Sequence, residues 1–361
     1  MERKCILVQD DLGGPMIDRY LNDLENRLDP VQEEALYRAW TGFADGQAGT
    51  GPFCPKRRTP LPPGLDWPDI PLNDALADEE KMLLSQFKLC SDQLAASSDL
   101  LLSVRANYGV GIIPSFFGAE PFIMPATMNC LPNVRPLPGG SQAIGHLVGA
   151  PLPDLNQGYG PQVFRMAALY QQVRARYPRI ARYIRVDHPD CQGPFDIVEL
   201  LWGSDVFLAL FDEPDRVHAL LDYLCRFYSY FMDAWFAAMP PTDDYHAYFG
   251  RLHRGLITIR DDSAMNLSPD LCRTFVHPYD ARLLDRYGGA IHFCGRGDHY
   301  LTDMVRSKGL SAIDMSQPHL NDMKQILRVT IDQGINLHTV HDPSIDALLG
   351  SNHAWPRLSL R

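Results

Sequence analysis

The sequence is short of the features that mark several large functional classes. It has no uninterrupted apolar run of the roughly 18 residues that a membrane helix needs, so no membrane partner is expected. Clustered Lys and Arg are missing as well: 33 basic side chains stand against 44 acidic ones, a formal charge of −11. Binding to nucleic acid or an anionic bilayer needs a concentrated positive surface, so neither is expected, and the acid excess reads as a solubility device. The eight cysteines, at 5, 54, 90, 130, 191, 225, 272 and 294, include no CxxC pair. Scattered cysteines in a long chain read as buried free thiols of a reducing compartment. Residues 1–11 turn acidic after a very short apolar stretch, without the hydrophobic segment of a secretory leader, so a cytoplasmic location is expected. No Gly-rich dinucleotide turn follows any candidate strand.

What is present is ample apolar material, 45% of 361 residues, and barrels of alternating strands and helices routinely use such a length as one unit. Asp29-Pro30 opens a helix to about Phe43, with proline at the first helical position. From Gly49 to Pro71 the proline density forbids regular helix or central strand. Phe53, Leu61, Leu65, Trp67 and Ile70 give that segment apolar groups to bury, which predicts an irregular arm lying over the body. A second Pro/Gly-rich stretch, 131–161, reads as a long loop.

From about residue 180 the pattern becomes regular. Strands are expected at 182–186, 255–260, 290–294, 310–315 and 335–340, the last closing the series. Between them stand helices after Pro214, after Ser268-Pro269, from Cys294 to about Lys308, and over 321–332. Strands alternating with amphipathic helices make parallel βα units. The expectation is an α/β protein, an eightfold (β/α) TIM barrel over 91–361 with an irregular and helical N-terminal extension over 1–90 packed on it. Asp187, Asp261, Asp262, His292, Cys294, Asp314, His338 and His341 all fall at strand ends, which in a barrel converge on one mouth.

His292-Phe293-Cys294 is the sharpest of these signals. Residues two apart on a strand share a face, so imidazole and thiol aim together, and both are zinc ligand types. The alternative is an imidazole hydrogen-bonded inside the barrel beside a thiol packed as a small apolar group. Asp261-Asp262 reads as base, ligand orienter or turn cap. The loop after Asp187 is a substrate loop or a plain turn.

The stretch Asp261-Asp262-Ser263-Ala264-Met265, Leu267-Ser268-Pro269, His277-Pro278-Tyr279 and Gly288-Gly289-Ala290-Ile291-His292-Phe293-Cys294-Gly295 resembles the uroporphyrinogen decarboxylase superfamily. So do Gln192-Gly193-Pro194-Phe195 and the helix entry Asp212-Glu213-Pro214. The resemblance implies a TIM barrel. It also implies one of two chemistries, decarboxylation of a porphyrinogen or zinc-dependent methyl transfer between corrinoid proteins and thiols. The decarboxylase's arginine-rich anion cradle has no counterpart beyond Arg105-Ala106-Asn107-Tyr108-Gly109. The His-x-Cys pair is that of the methyltransferase branch. By that resemblance His292 and Cys294 bind zinc, with His338 or His341 completing the site in place of that branch's later cysteine. Asp261 or Asp262 is catalytic, and Asp187, Arg105 and Gln317 hold a small-molecule substrate. A corrinoid is the expected methyl carrier and a corrinoid protein the expected partner, with homodimerisation left open. Two rivals stand beside this: a metal-free decarboxylase using Arg105, Arg185, Arg260 and Arg296 at the mouth, and a non-catalytic corrinoid or tetrapyrrole binder.

Overall fold

The computed structural model of the chain describes residues 15–349 and 355–360; residues 1–11, read above for a leader, lie outside them. Its strands are β1 (Leu102–Val104), β2 (Glu120–Phe122), β3 (Asn133–Arg135), β4 (Ile184–Val186), β5 (Tyr245–Tyr248), β6 (Arg251–Arg254), β7 (Ile257–Arg260), β8 (Gly289–Phe293), β9 (Leu310–Met315), β10 (Asn336–Thr339) and β11 (Leu358–Leu360). The fold is α/β. β7 to β11 form one parallel sheet in which each strand lies beside its successor in sequence. β1 and β4 form a second parallel pair. Among the described residues the ladders thus make two parallel arcs. They approach each other where Gly193 N donates to Arg260 O at 2.7 Å and Thr258 N donates to His188 Nε2 at 2.9 Å.

Local chemistry explains the repeating part. The helix Pro214–Ala238 buries Val217, Leu220, Leu221, Leu224, Tyr228, Phe231 and Trp235 along one stripe, the helical spacing seen in the sequence. The helix Pro269–Phe275 starts with proline in its first turn, and the Ser268 hydroxyl accepts from Leu271 N at 3.3 Å. Four expectations change. Residues 131–161 hold β3 and the helix Gly140–Val148 as well as loop, and the expected helix after Cys294 shortens to Leu301–Met304. The series continues past β10 through the helix Pro343–Leu349 to β11. Finally, β5 and β6 form an antiparallel hairpin ahead of β7.

That hairpin turns on two residues, Phe249 at φ +47° and Gly250 at φ +76°, the left-handed pair of a tight hairpin turn. It lies against β7, β8 and β9 and satisfies polar groups there. The Ser311 hydroxyl donates to Arg254 O at 2.6 Å, and His253 Nε2 meets Thr258 Oγ1 at 2.8 Å. Ala247 and Leu252 join Leu36, Trp40, Phe43, Leu100 and Leu101 in a small second core, so the hairpin is clamped by the helix Pro30–Ala44.

The N-terminal extension is built into this body. Ile17, Leu21, Leu24, Leu28, Met82 and Phe87 belong to the same apolar core as the parallel sheet. Within the proline-rich arm, Phe53 stacks on Phe43 and bridges beside Ser359, and Leu61, Trp67 and Ile70 pack on the core. Its Arg57 is buried in a two-point pair with Glu33, at 2.7 and 2.8 Å, and donates to the carbonyls of Ser98 and Leu100. Removing one partner of a buried pair strands the other charge, at about 3–5 kcal/mol. Arg57→Met is therefore expected to lower the urea-unfolding free energy by that amount. The same change at exposed Arg182, paired with Glu34, should leave the midpoint unchanged. Equal effects of the two would show that the arm does not depend on this pair.

Candidate metal centre

His292 stands on β8 with its ring turned to the side occupied by the hairpin, where the Tyr248 ring lies 5.2 Å away. Its Nδ1 donates to Asp314 Oδ1 on neighbouring β9 at 2.7 Å, and the other oxygen of Asp314 is ion-paired with Arg251 of the hairpin. Burial opposes ionisation of Asp314, but the charges of Arg251 and His292 outweigh it and hold the acid at about 2. Burial likewise favours neutral His292. The hydrogen bond to Asp314, the contact with Cys294 and the nearby carboxylates win, and its pKa rises to about 9.

With Nδ1 committed to Asp314, Nε2 is left facing Cys294 Sγ at 3.4 Å and Asp262 Oδ1 at 3.9 Å. Asp262, His292 and Cys294 bring one ligand atom each within 4.8 Å of one another. A tetrahedral zinc ion with ordinary bond lengths separates its nitrogen from sulfur or oxygen ligands by about 3.4–3.6 Å. The spacing of His292 and Cys294 fits that set, and Asp262 would close by about 0.3–0.5 Å to complete a three-ligand face. Asp262 Oδ1 also accepts from Cys294 N at 2.7 Å, which fixes the cysteine backbone against the acid. Gly295, at φ +77°, turns the chain away, and a Cβ there would sit 2.5 Å from Met265 Sδ.

The other expected residues separate. His338 is buried on β10 against the rings of Trp40 and Phe43, with burial pushing its pKa down to about 3. His341 is exposed and pairs with Asp346 at 2.9 Å. Neither belongs to the ligand group, because β10 lies a strand further round the sheet from β8 than β9 does. Asp261 is fully buried and faces Asp280, with no further partner for either carboxyl among the described residues. Burial and the charge of Asp280 push the Asp261 pKa well up, while burial and the charge of Asp196 raise Asp280 to about 7 against the hydrogen bond from Asp261. Asp261 therefore points away from its neighbour Asp262. Gln317 is close, accepting from Gly295 N at 2.5 Å. Arg105 is buried under the Phe249 ring, 4.4 Å from its centroid and 3.9 Å from Asp190, which also pairs with Arg260. Asp187 is buried further along β4, where burial carries its pKa up to about 7.

Three contributors went unread in the sequence: Arg251 and Tyr248, carried by the unexpected hairpin, and Asp196. The last accepts from the backbone N of Asp262 and of Ser263, both at 2.9 Å, and so holds the loop that presents Asp262. The alternation in Tyr245 to Arg254 around Gly250 is the signal that would have found the hairpin. Beside Asp262 lies an open depression of about 390 Å³, lined by Val110, Val134, Gln192, Leu200 and Ser263 among others. Phe249 and Met265 are exposed; Phe249 packs edge-on against the Tyr248 ring that lies beside His292, and Met265 lies over Gly295.

No protein-family model matches the sequence, and no curated protein matches it. Among solved structures, a methyltransferase from Methanosarcina mazei is similar over 85% of this chain and 83% of its own, with a TM-score of 0.61 and 18% sequence identity. That likeness is one of fold.

Two outcomes are expected of zinc titrations against a chromophoric chelator. Asp314→Ala should weaken binding about 10–100-fold by freeing the His292 ring, whereas His341→Ala should leave it unchanged. The proton on His292 competes with the metal, so affinity should rise with pH and level off only above about 9. A flat profile across neutral pH would remove His292 from the ligand set.

Proposed function

We propose that this chain is a zinc-dependent methyltransferase that moves a methyl group between a corrinoid and a thiol or related acceptor. It would be built on a (β/α) barrel of the uroporphyrinogen decarboxylase superfamily and work in the cytoplasm. The observation that carries this is the convergence of ligand atoms from Asp262, His292 and Cys294 within 4.8 Å of one another. The fold shared with the Methanosarcina mazei methyltransferase supports it. Zinc held there would lower the pKa of an incoming thiol; as the thiolate sulfur bonds the methyl carbon, the cobalt–carbon bond of the methyl-corrinoid breaks and its electron pair stays with the cobalt.

The chain's own residues do the rest. Asp314 fixes the His292 ring, Asp262 fixes the Cys294 backbone, and Gln317 holds the turn at Gly295. The depression beside Asp262 would seat the acceptor. Phe249 and Met265 would meet the corrinoid or the protein that carries it. The metal-free decarboxylase would need Arg105, Arg185, Arg260 and Arg296 gathered at the mouth. Instead Arg105 and Arg260 share Asp190, Arg185 is tied to Asp243, and Arg296 lies exposed against Asp298.

The deciding experiment is metal analysis of protein purified under reducing conditions without added zinc, together with methyl transfer from methylcobalamin to a thiol. Stoichiometric zinc with turnover in the wild type, both lost in Cys294→Ser, is expected. A wild type that holds no zinc removes the mechanism.

Phe249 offers a separate test, because a non-glycine residue in the left-handed region carries about 1–2 kcal/mol of strain. Phe249→Gly should therefore keep or raise the unfolding midpoint while lowering methyl transfer several-fold. Unchanged turnover would show that the exposed ring does not serve the reaction.

A further inference from the structure

The two parallel arcs do not pair between β4 and β7, and a cavity of about 460 Å³ opens at that break. None of Asp262, His292 and Cys294 lines it. Its walls are Tyr37 from the N-terminal extension, Trp235 and Phe236 from the end of the helix Pro214–Ala238, and Arg185 and Asp187 from β4 and its end. Arg174 adds a second guanidinium.

The charges there do not balance. Arg185 is held by Asp243 at two points, 2.7 and 2.9 Å, and Tyr37 donates to the same carboxylate at 2.7 Å. Among the described residues Arg174 pairs with no carboxylate; its contact is Met239 Sδ at 3.4 Å. Arg174 is half buried and feels the positive field of Arg185, both of which disfavour its charge. Of the other acids lining the cavity, Glu33 is paired with Arg57 and Glu34 with Arg182, while Asp243 is taken up by Arg185 and Tyr37, so Arg174 is the guanidinium left over. Asp187 Oδ1 is buried with no hydrogen-bond partner among the described residues, and burial lifts this acid to about 7, so near neutral pH it exchanges between a carboxylate and a carboxyl that can donate. An aromatic-walled cavity of this size with a few convergent polar groups has the form of a small-molecule site.

We propose that this cavity is a second binding site, for a small organic carboxylate with an aromatic or apolar body. The anionic end pairs with Arg174 beside Arg185, and the body lies against Trp235, Phe236 and Tyr37. The ligand would span the gap between β4 and β7, tying the N-terminal extension to β4 and to the end of the long helix.

Calorimetric titration of the full-length protein tests this with benzoate, its neutral counterpart benzyl alcohol, and inorganic phosphate. Benzoate should bind saturably and benzyl alcohol about tenfold or more weakly, since a charge-assisted pair is lost. Arg174→Met should weaken benzoate about tenfold or more while melting as the wild type does. Cys294→Ser should bind benzoate like the wild type, which separates this site from the metal centre. The proposal is overturned if benzoate does not saturate the wild type, if Arg174→Met binds it equally, or if phosphate binds and benzoate does not.

Discussion

The structure turns on one buried chain of charges, Arg251 to Asp314 to His292. Each link sets the next. Without Arg251, burial would push Asp314 toward its neutral form, and a neutral acid would no longer hold the His292 ring by charge. Without Asp314, neither ring nitrogen of His292 is committed, and the direction of Nε2 toward Cys294 and Asp262 is lost. The chain runs across three strands of two different sheets, so it also records how those sheets must sit. Arg251 lies on β6, in the hairpin, and can reach Asp314 only if the hairpin is inserted against β7, β8 and β9.

That insertion explains features that look unrelated. The side of the parallel sheet facing the hairpin carries Thr258, Ser311, Asp314 and Asn336, which an apolar interior could not accept. Each finds a partner in the hairpin or in the N-terminal extension: Thr258 with His253, Ser311 with Arg254 O, and Asn336 with the carbonyls of Phe43 and Ala44. The extension is therefore part of the folding unit that makes the site. Its helix Pro30–Ala44 clamps the hairpin through Trp40 and Phe43, and Arg57 locks the arm to that helix through Glu33. A fault in the arm would be felt at His292 through the hairpin.

Much of the sheet was legible in the sequence because each parallel strand is a short apolar run between helical stripes. The pairing of His292 with Cys294 was legible for the same reason, since strand period alone puts them on one face. The acid that stands with His292 and Cys294 was only half legible. Asp261 and Asp262 are adjacent, so alternation sends one toward the mouth and one toward the buried Asp280, and nothing in the dipeptide says which. His338 was misleading because a strand-end position does not fix distance around a sheet: β10 is two strands from β8, and the helix Pro30–Ala44 covers it. The hairpin was hidden by its turn, where Phe249 stands in a place that glycine or asparagine usually takes.

The third ligand bears on the chemistry. The methyltransferase branch that this sequence resembles carries a later cysteine, and no cysteine follows Cys294 here. Under the proposed function Asp262 would fill the gap from the preceding strand end and preserve the charge count: one neutral imidazole, two anionic ligands and a divalent cation would sum to zero, as with a second thiolate. What changes is softness. A carboxylate oxygen gives less electron density to zinc than a thiolate does, so an ion held by this set would be a stronger Lewis acid toward an incoming thiol. The cost is a ligand that binds protons and competing hard cations more readily. The structure compensates by tying Asp262 down at its backbone through Asp196 and at its carboxylate through Cys294 N, so the acid is oriented before any metal arrives.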